Sequence, residues 1–196
     1  MTKPERVLAL AGIGVIASAV LLVTYVTHSN ADSQPSGCGP QRAKLEQTLD
    51  QVRFAMSAQH AVSSALEYSD QSRLAYYNDI AAMRRQLAGS NHSSVQHDLV
   101  QASVLLSDQE APISQAHAIT AQAKHELQGA LPLVNEAAQD LQEGDCSALT
   151  LTMERSGWPK DHLLGQLASA ARLNSVVSEQ LDSALALIAH AQHFVR

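Results

Sequence analysis

Apolar positions along this chain recur at helical spacing, and most regularly between Leu99 and Leu141. Counting in sevens from Leu99 gives Leu106, Ile113, Thr120, Leu127, Val134 and Leu141. Counting in sevens from Ala102 gives Gln109, Ala116, Ala123, Ala130 and Ala137. One column of mostly large apolar residues beside one of mostly alanine, kept up over about six heptads, is the seam of a coiled coil. Alanine puts little side chain between two backbones, so a partner helix can approach near the short end of the usual interaxial range, about 8 Å.

The rest of the chain supplies the partners. A first arm is predicted from near Gln41, just after Pro40, to about Leu87. Its stripe reads Leu45, Leu49, Val52, Met56, Val62, Leu66, Leu74, Tyr77, Ile80 and Leu87, and it lapses across Glu67 to Arg73. Gly89-Ser90-Asn91-His92-Ser93 provides a stop glycine and polar residues for a restart. The second arm runs from about Ser94 to Gln142 and ends at Gly144. Pro112 and Pro132 each remove a backbone donor from it. Ser107 and Glu110 have the spacing of a capping box, which predicts a break near residues 107–111. A short helix, Ser147 to Arg155, is stopped by Ser156-Gly157-Trp158-Pro159. The last helix runs from Pro159 to Phe194, with one column of Leu167, Asn174, Leu181, Ile188 and Val195 and another of Leu163, Ala170, Val177, Ala184 and Ala191.

No segment alternates strictly between apolar and polar, and aromatic residues are only 4% of the chain, which argues against a β-sandwich or barrel. The expected fold is all-α: an N-terminal transmembrane helix, then an elongated antiparallel bundle made of a long hairpin, a third long helix and one short helix.

The two cysteines fix the register of the hairpin. Cys38 precedes the first arm, Cys146 follows the second, and both lie equally far from His92 in the turn. An antiparallel hairpin closed there brings them together at its open end, where an oxidising compartment would join them. Such a bridge closes a loop of about 108 residues and adds up to roughly 4–5 kcal/mol in the chain-entropy picture. The same register sets Asp70 opposite residue 114, beside Pro112. Both arms then weaken at one height, which predicts a bend or hinge.

The amino terminus suggests where that compartment is. Residues 7–26 (VLALAGIGVIASAVLLVTYV) carry no charge and reach about 30 Å as a helix, one bilayer core. Lys3 and Arg6 precede them, and the next basic residue is Arg42. The positive-inside bias therefore puts residues 1–6 in the cytoplasm, 7–26 in the bilayer as a signal anchor, 27–40 in a linker, and the bundle of 41–196 in a periplasm. This is the expected topology of a single-pass bacterial inner-membrane protein. The competing reading is a cleaved signal peptide, cut before Asp32 after the small residues Ser29 and Ala31. Gly37-Cys38 ends like a lipoprotein motif, but Pro35 and Ser36 precede it and the apolar run stops well before.

Composition narrows the partners. A net charge of −6 without a basic stripe argues against nucleic acid. Only 16% of residues are charged, so few Glu and Lys flank the seams to select a separate chain. Partner helices within the chain are favoured, and self-association is left open.

Candidate chemistry is sparse. His190 and His193 lie three apart on one helix face, as metal ligands would, but without a nearby acidic residue in that turn. His60 and His125 come within one residue of matching heights in the hairpin. There is no HExxH, CxxCH, GxSxG or Gly-rich phosphate loop, so no cofactor and no enzyme activity are expected. Asn91-His92-Ser93 matches a glycosylation sequon, which has meaning only on a eukaryotic secretory route. Trp158 suits either a lipid interface or packing on Leu163. Asn174 is a lone polar residue in an apolar column and suits a register-fixing role. The turn around Gly89, Asn91 and His92 is the natural distal contact.

Three functions fit these features. The first is a non-enzymatic structural or docking part of a cell-envelope assembly of the secretion, conjugation or phage-lysis type. The second is a periplasmic ligand or metal sensor. The third, if the leader is cleaved, is a secreted pilus-tip or adhesin-like protein.

Overall fold

The computed structural model describes residues 38–88, 93–158 and 161–194, and residues 38–196 form one compact unit. The anchor at 7–26, the linker up to residue 37, and Gly89, Asn91, His92 and Pro159 lie outside the described residues. Five helices follow one another: α1 (Gly39–Gln86), α2 (Ser93–Asp108), α3 (Glu110–Glu143), α4 (Cys146–Ser156) and α5 (Asp161–His193). Among the described residues there is no strand, and no helix is long and apolar enough to cross a membrane.

The hairpin closes as its cysteines require. Cys38 and Cys146 form a disulfide, with Cα atoms 5.4 Å apart across a sequence separation of 108. Farther along, Arg84 donates to the Leu99 carbonyl at 3.3 Å and to Ser103 Oγ at 2.9 Å, while Arg73 reaches Glu110 at 4.0 Å. Arg84–Leu99 and Arg73–Glu110 each lie within one residue of equal distance from position 92. α5 runs parallel to α1 and antiparallel to α2 and α3, so the three long arms pack side by side along the bundle.

Each arm buries a regular heptad seam. In α2 and α3 it is Val95, Leu99, Ala102, Leu106, Gln109, Ile113, Ala116, Thr120, Ala123, Leu127, Ala130, Val134 and Ala137, all buried, with Leu141 half-buried. In α5 it is Leu163, Leu167, Ala170, Val177, Leu181, Ala184, Ile188 and Ala191, with Asn174 half-buried among them. In α1 the buried positions are Leu45, Thr48, Val52, Ala55, Leu66, Ser69, Ile80 and Met83, followed by Leu87 just past its end. The half-buried Gln59, Val62, Arg73 and Tyr76 fill the gaps at the same 3–4 spacing.

Three details differ from the sequence reading. Met56 and Leu74 are 37% and 52% exposed, because Ala55 and Arg73 hold the seam positions beside them. The apolar stripe of α1 does lapse over residues 67–73, but the seam itself continues with the polar occupants Ser69 and Arg73, and α1 stays one helix of 48 residues, about 70 Å long. The interruption belongs to the second arm alone. There Gln109 keeps near-helical angles (φ −82°, ψ −13°) without a side-chain cap, so the Ser107–Glu110 capping box does not form. Pro112 has no N–H for the Asp108 carbonyl, and Gln109 N–H turns instead to Leu106 at 3.4 Å, a tightened turn that leaves the seam in phase. Finally, α1 starts at Gly39, because Pro40 in the first turn removes only a donor that has no helical partner anyway.

Candidate functional site

At the disulfide end the chain makes its sharpest turns. Gly144, with φ of 75°, ends α3, and the following Asp145 N–H bonds back to the Asp140 carbonyl at 3.0 Å. Asp145 then caps α4, its Oδ1 accepting from Ser147 and Ala148 N–H at 3.1 and 2.9 Å. α4 lies back along α3: Thr152 Oγ1 donates to Asp140 Oδ2 at 2.8 Å, and Arg155 pairs with Glu136 at 3.2 Å. Gly157, with φ of 61°, ends α4. Trp158 is 7% exposed in the base core with Leu45, Leu149, Met153 and Leu163, and its indole N–H donates to Gln51 Oε1 at 2.9 Å. Its ring is covered by the bundle.

A polar layer crosses the middle of the bundle. Ser69 Oγ, buried on α1, donates to Asn174 Oδ1 of α5 at 2.8 Å. Buried Gln109, at the α2–α3 junction, donates from Nε2 to the Leu105 carbonyl at 3.0 Å and to Gln180 Oε1. Arg73, with its side chain 15% exposed, pairs with Asp70 at 3.2 Å and lies 6.0 Å from the centre of the Tyr77 ring. Next to it the Tyr76 hydroxyl has its pKa raised above the usual 10.0, first by burial and then by Tyr68, Asp182 and Asp79. Directional bonds from the buried seam residues Ser69 and Gln109 to α5 set the axial register, since a slip by one heptad would leave these two side chains buried without their α5 partners.

The distal end has no covalent tie among its described residues. His190 Nδ1 meets Asp98 Oδ2 at 2.7 Å, and the His190 ring stands edge-on to Phe194 with centroids 5.1 Å apart. A second such pair, His162 with Glu126 at 2.8 Å, joins α5 to α3 near the base. His193 is exposed in the last turn of α5, and His60 and His125 both face solvent. Among the described residues no three His, Cys, Asp or Glu side chains come close enough to hold a metal ion.

Of the residues singled out from the sequence, the structure joins Cys38 to Cys146 and gives Asn174 a partner in Ser69. His190 receives its carboxylate from α2, a partner that inspection of its own turn could not find. Ser69 and Arg73 were missed because they are polar residues in seam positions, which continuing the 3–4 count past Leu66 would have reached; Gln109 stood in the counted column, but its partner Gln180 lies beside the α5 seam and no count points to it. No family model, curated protein or solved structure matches the chain.

Proposed function

We propose that this protein is a non-enzymatic structural or docking component of a cell-envelope assembly of the secretion, conjugation or phage-lysis type. In this reading residues 7–26 anchor it in a bacterial inner membrane and the bundle stands in the periplasm. The observation that carries the reading is the Cys38–Cys146 bridge closing the foot of a hairpin about 70 Å long. A bridge of that kind persists in an oxidising compartment, and it ties the two long arms where the chain leaves the amino-terminal segment. Long arms whose inward positions are taken up by one another leave their outer faces for contacts with other proteins, and residues 89–92 are the contact expected from the sequence.

The test is crosslinking in intact cells, followed by detergent extraction and mass measurement, with the chain expressed from its own locus. The reading predicts a complex of fixed stoichiometry containing other envelope proteins, lost when His92 and Asn91 are replaced by arginine, together with an oxidised Cys38–Cys146 pair. Recovery of the chain without envelope partners, or with both thiols reduced in the cell, would defeat it.

A further inference from the structure

Outside its core seam, α1 carries a second column at the same spacing. Phe54, Ala58, Ala61, Ala65 and Tyr68 follow in steps of four and three, and Phe54 and Tyr68 are 64% and 72% exposed. Between Asp50 and Asp79 this column and its outer neighbours hold no charge; Ser57, Ser64, Gln71 and Asn78 flank it. On α5 the positions one and two heptads before Asp182, whose charge acts on Tyr76 of α1, are Ser175 and Ala168, both exposed and uncharged. The outer side of the α1–α5 pair is thus a neutral strip with two large anchors.

We infer that this strip is a face on which a second copy of the chain docks, antiparallel, about a two-fold axis at Ala61. Three features select that occupant. Phe54 and Tyr68 each lie seven residues from Ala61, so the axis sets each Phe54 against the other copy's Tyr68 and Ala61 against Ala61. That is the self-complementarity an isologous interface requires. A parallel pairing would instead set Asp50 against Asp50 and Asp79 against Asp79, whereas the antiparallel one puts each near Ser72 or Ala43 of the other copy. On a chain of net charge −6, a neutral strip is also where two copies meet with the least repulsion.

Alanine and serine between the aromatics allow the two α1 helices to approach to about 8 Å. The aromatics and their small neighbours would remove on the order of 900 Å² in total from water, close to the lower bound of about 1,000 Å² for specific interfaces. The dimer is therefore concentration-dependent. Cys38 of the two copies lies at opposite ends of the pair, so in an anchored chain the paired bundles would lie along the membrane; the inference is drawn from the α1 face alone and does not rest on the proposed function.

The test is self-crosslinking of the full chain in detergent, with the Cys38–Cys146 bridge verified by peptide mapping. Ala61→Cys sits on the axis and should form a covalent dimer on mild oxidation. Ala75→Cys, whose copies lie about 40 Å apart in this arrangement, should stay monomeric. Ala118→Cys, exposed on α3, should do the same. Adding Phe54→Glu to Ala61→Cys should cut the dimer at least tenfold while helix content, read by circular dichroism, is kept. No dimer through Ala61→Cys would overturn the inference. So would equal crosslinking at all three positions, efficient crosslinking at Ala75→Cys, or an adduct at Ala61→Cys with a different protein in place of the dimer.

Discussion

The two ends of this bundle are built from the same seam and secured in different ways. At the base, Leu45, Val52, Leu127, Val134, Leu149, Met153, Trp158 and Leu163 pack among four helices, and a disulfide joins the first arm to the start of α4. At the distal end, Ile80, Met83, Leu99, Leu106, Ile113, Val177, Leu181 and Ile188 pack among α1, α2, the first turn of α3 and α5, held laterally by Arg84 on Leu99 and Ser103 and by His190 on Asp98. Between them Leu66, Ala116 and Ala170 form a smaller apolar cluster, flanked by the half-buried Val62, Ile119 and Leu173, next to the Ser69–Asn174 and Gln109–Gln180 pairs. The comparison shows that an unbroken heptad count is not a uniformly cohesive rod. Polar pairs keep the register but contribute less than apolar burial, which predicts that the two ends open as separate cooperative units although α1 and α5 both run unbroken through them.

The largest expected effect comes from the base. Replacing Cys38 and Cys146 by serine should lower the free energy of global unfolding by up to about 4–5 kcal/mol, read from urea titration with Trp158 fluorescence as the base reporter. A loss under about 1 kcal/mol would mean that the reduced hairpin keeps its structure without the tie. Next come two buried leucines, one in each half. Leu106→Ala and Leu149→Ala should each cost roughly 3 kcal/mol, but unequally across the molecule. The distal lesion lowers the stability of both halves, because global unfolding includes opening of the distal end. The base lesion lowers only the global value and leaves distal opening where it was. Identical exchange profiles for the two variants would erase the distinction between the halves.

These expectations rest on features of unequal legibility in the sequence. The second arm and α5 could be read nearly residue by residue, because their seams hold large apolar residues or alanine at almost every heptad position. The first arm could be read only in part. Its seam runs through Thr48, Gln59, Ser69 and Arg73, and apolar neighbours off the seam, Met56 and Leu74, drew the count away. Periodicity reports which face is inward only while that face is apolar, and here polarity was placed inward in the middle of the bundle. The Cys38–Cys146 pairing followed from symmetry about position 92. The Asp98–His190 and Glu126–His162 pairs did not, because the height of α5 depends on how α4 turns the chain at the base, through Gly144 and Gly157, which no spacing rule fixes.

Smaller effects sharpen the role of the polar layer. Asn174→Ala, which strips Ser69 of its acceptor, should cost about 1–3 kcal/mol by chemical denaturation. The double variant Ser69→Ala with Asn174→Leu should recover most of that, because two matched apolar groups leave nothing unpaired; it should also make the two halves exchange more nearly together. A double variant as unstable as the single one would point to strain in place of an unmet bond. At the base, Gln51→Ala removes the acceptor of the Trp158 indole and should cost about 1 kcal/mol, with a shift in indole fluorescence. The smallest effect is a dependence on alkaline pH. Tyr76 has its pKa raised in the folded state, so its protonated form is favoured there. Its contribution to stability is complete below pH 10.0 and declines as pH rises through the higher folded value. Tyr76→Phe should flatten that decline, and an unchanged alkaline slope would assign it to other groups.

The most direct test of two cooperative units is residue-resolved native-state hydrogen exchange on the oxidised chain and on the same chain with Cys38 and Cys146 reduced. If the halves open separately, reduction lowers the protection of amides around Val52, Leu127, Leu149 and Leu163 while those around Ile80, Leu106 and Ile188 keep the values they had. A fall of equal size in both sets would show one cooperative rod and contradict the division drawn here.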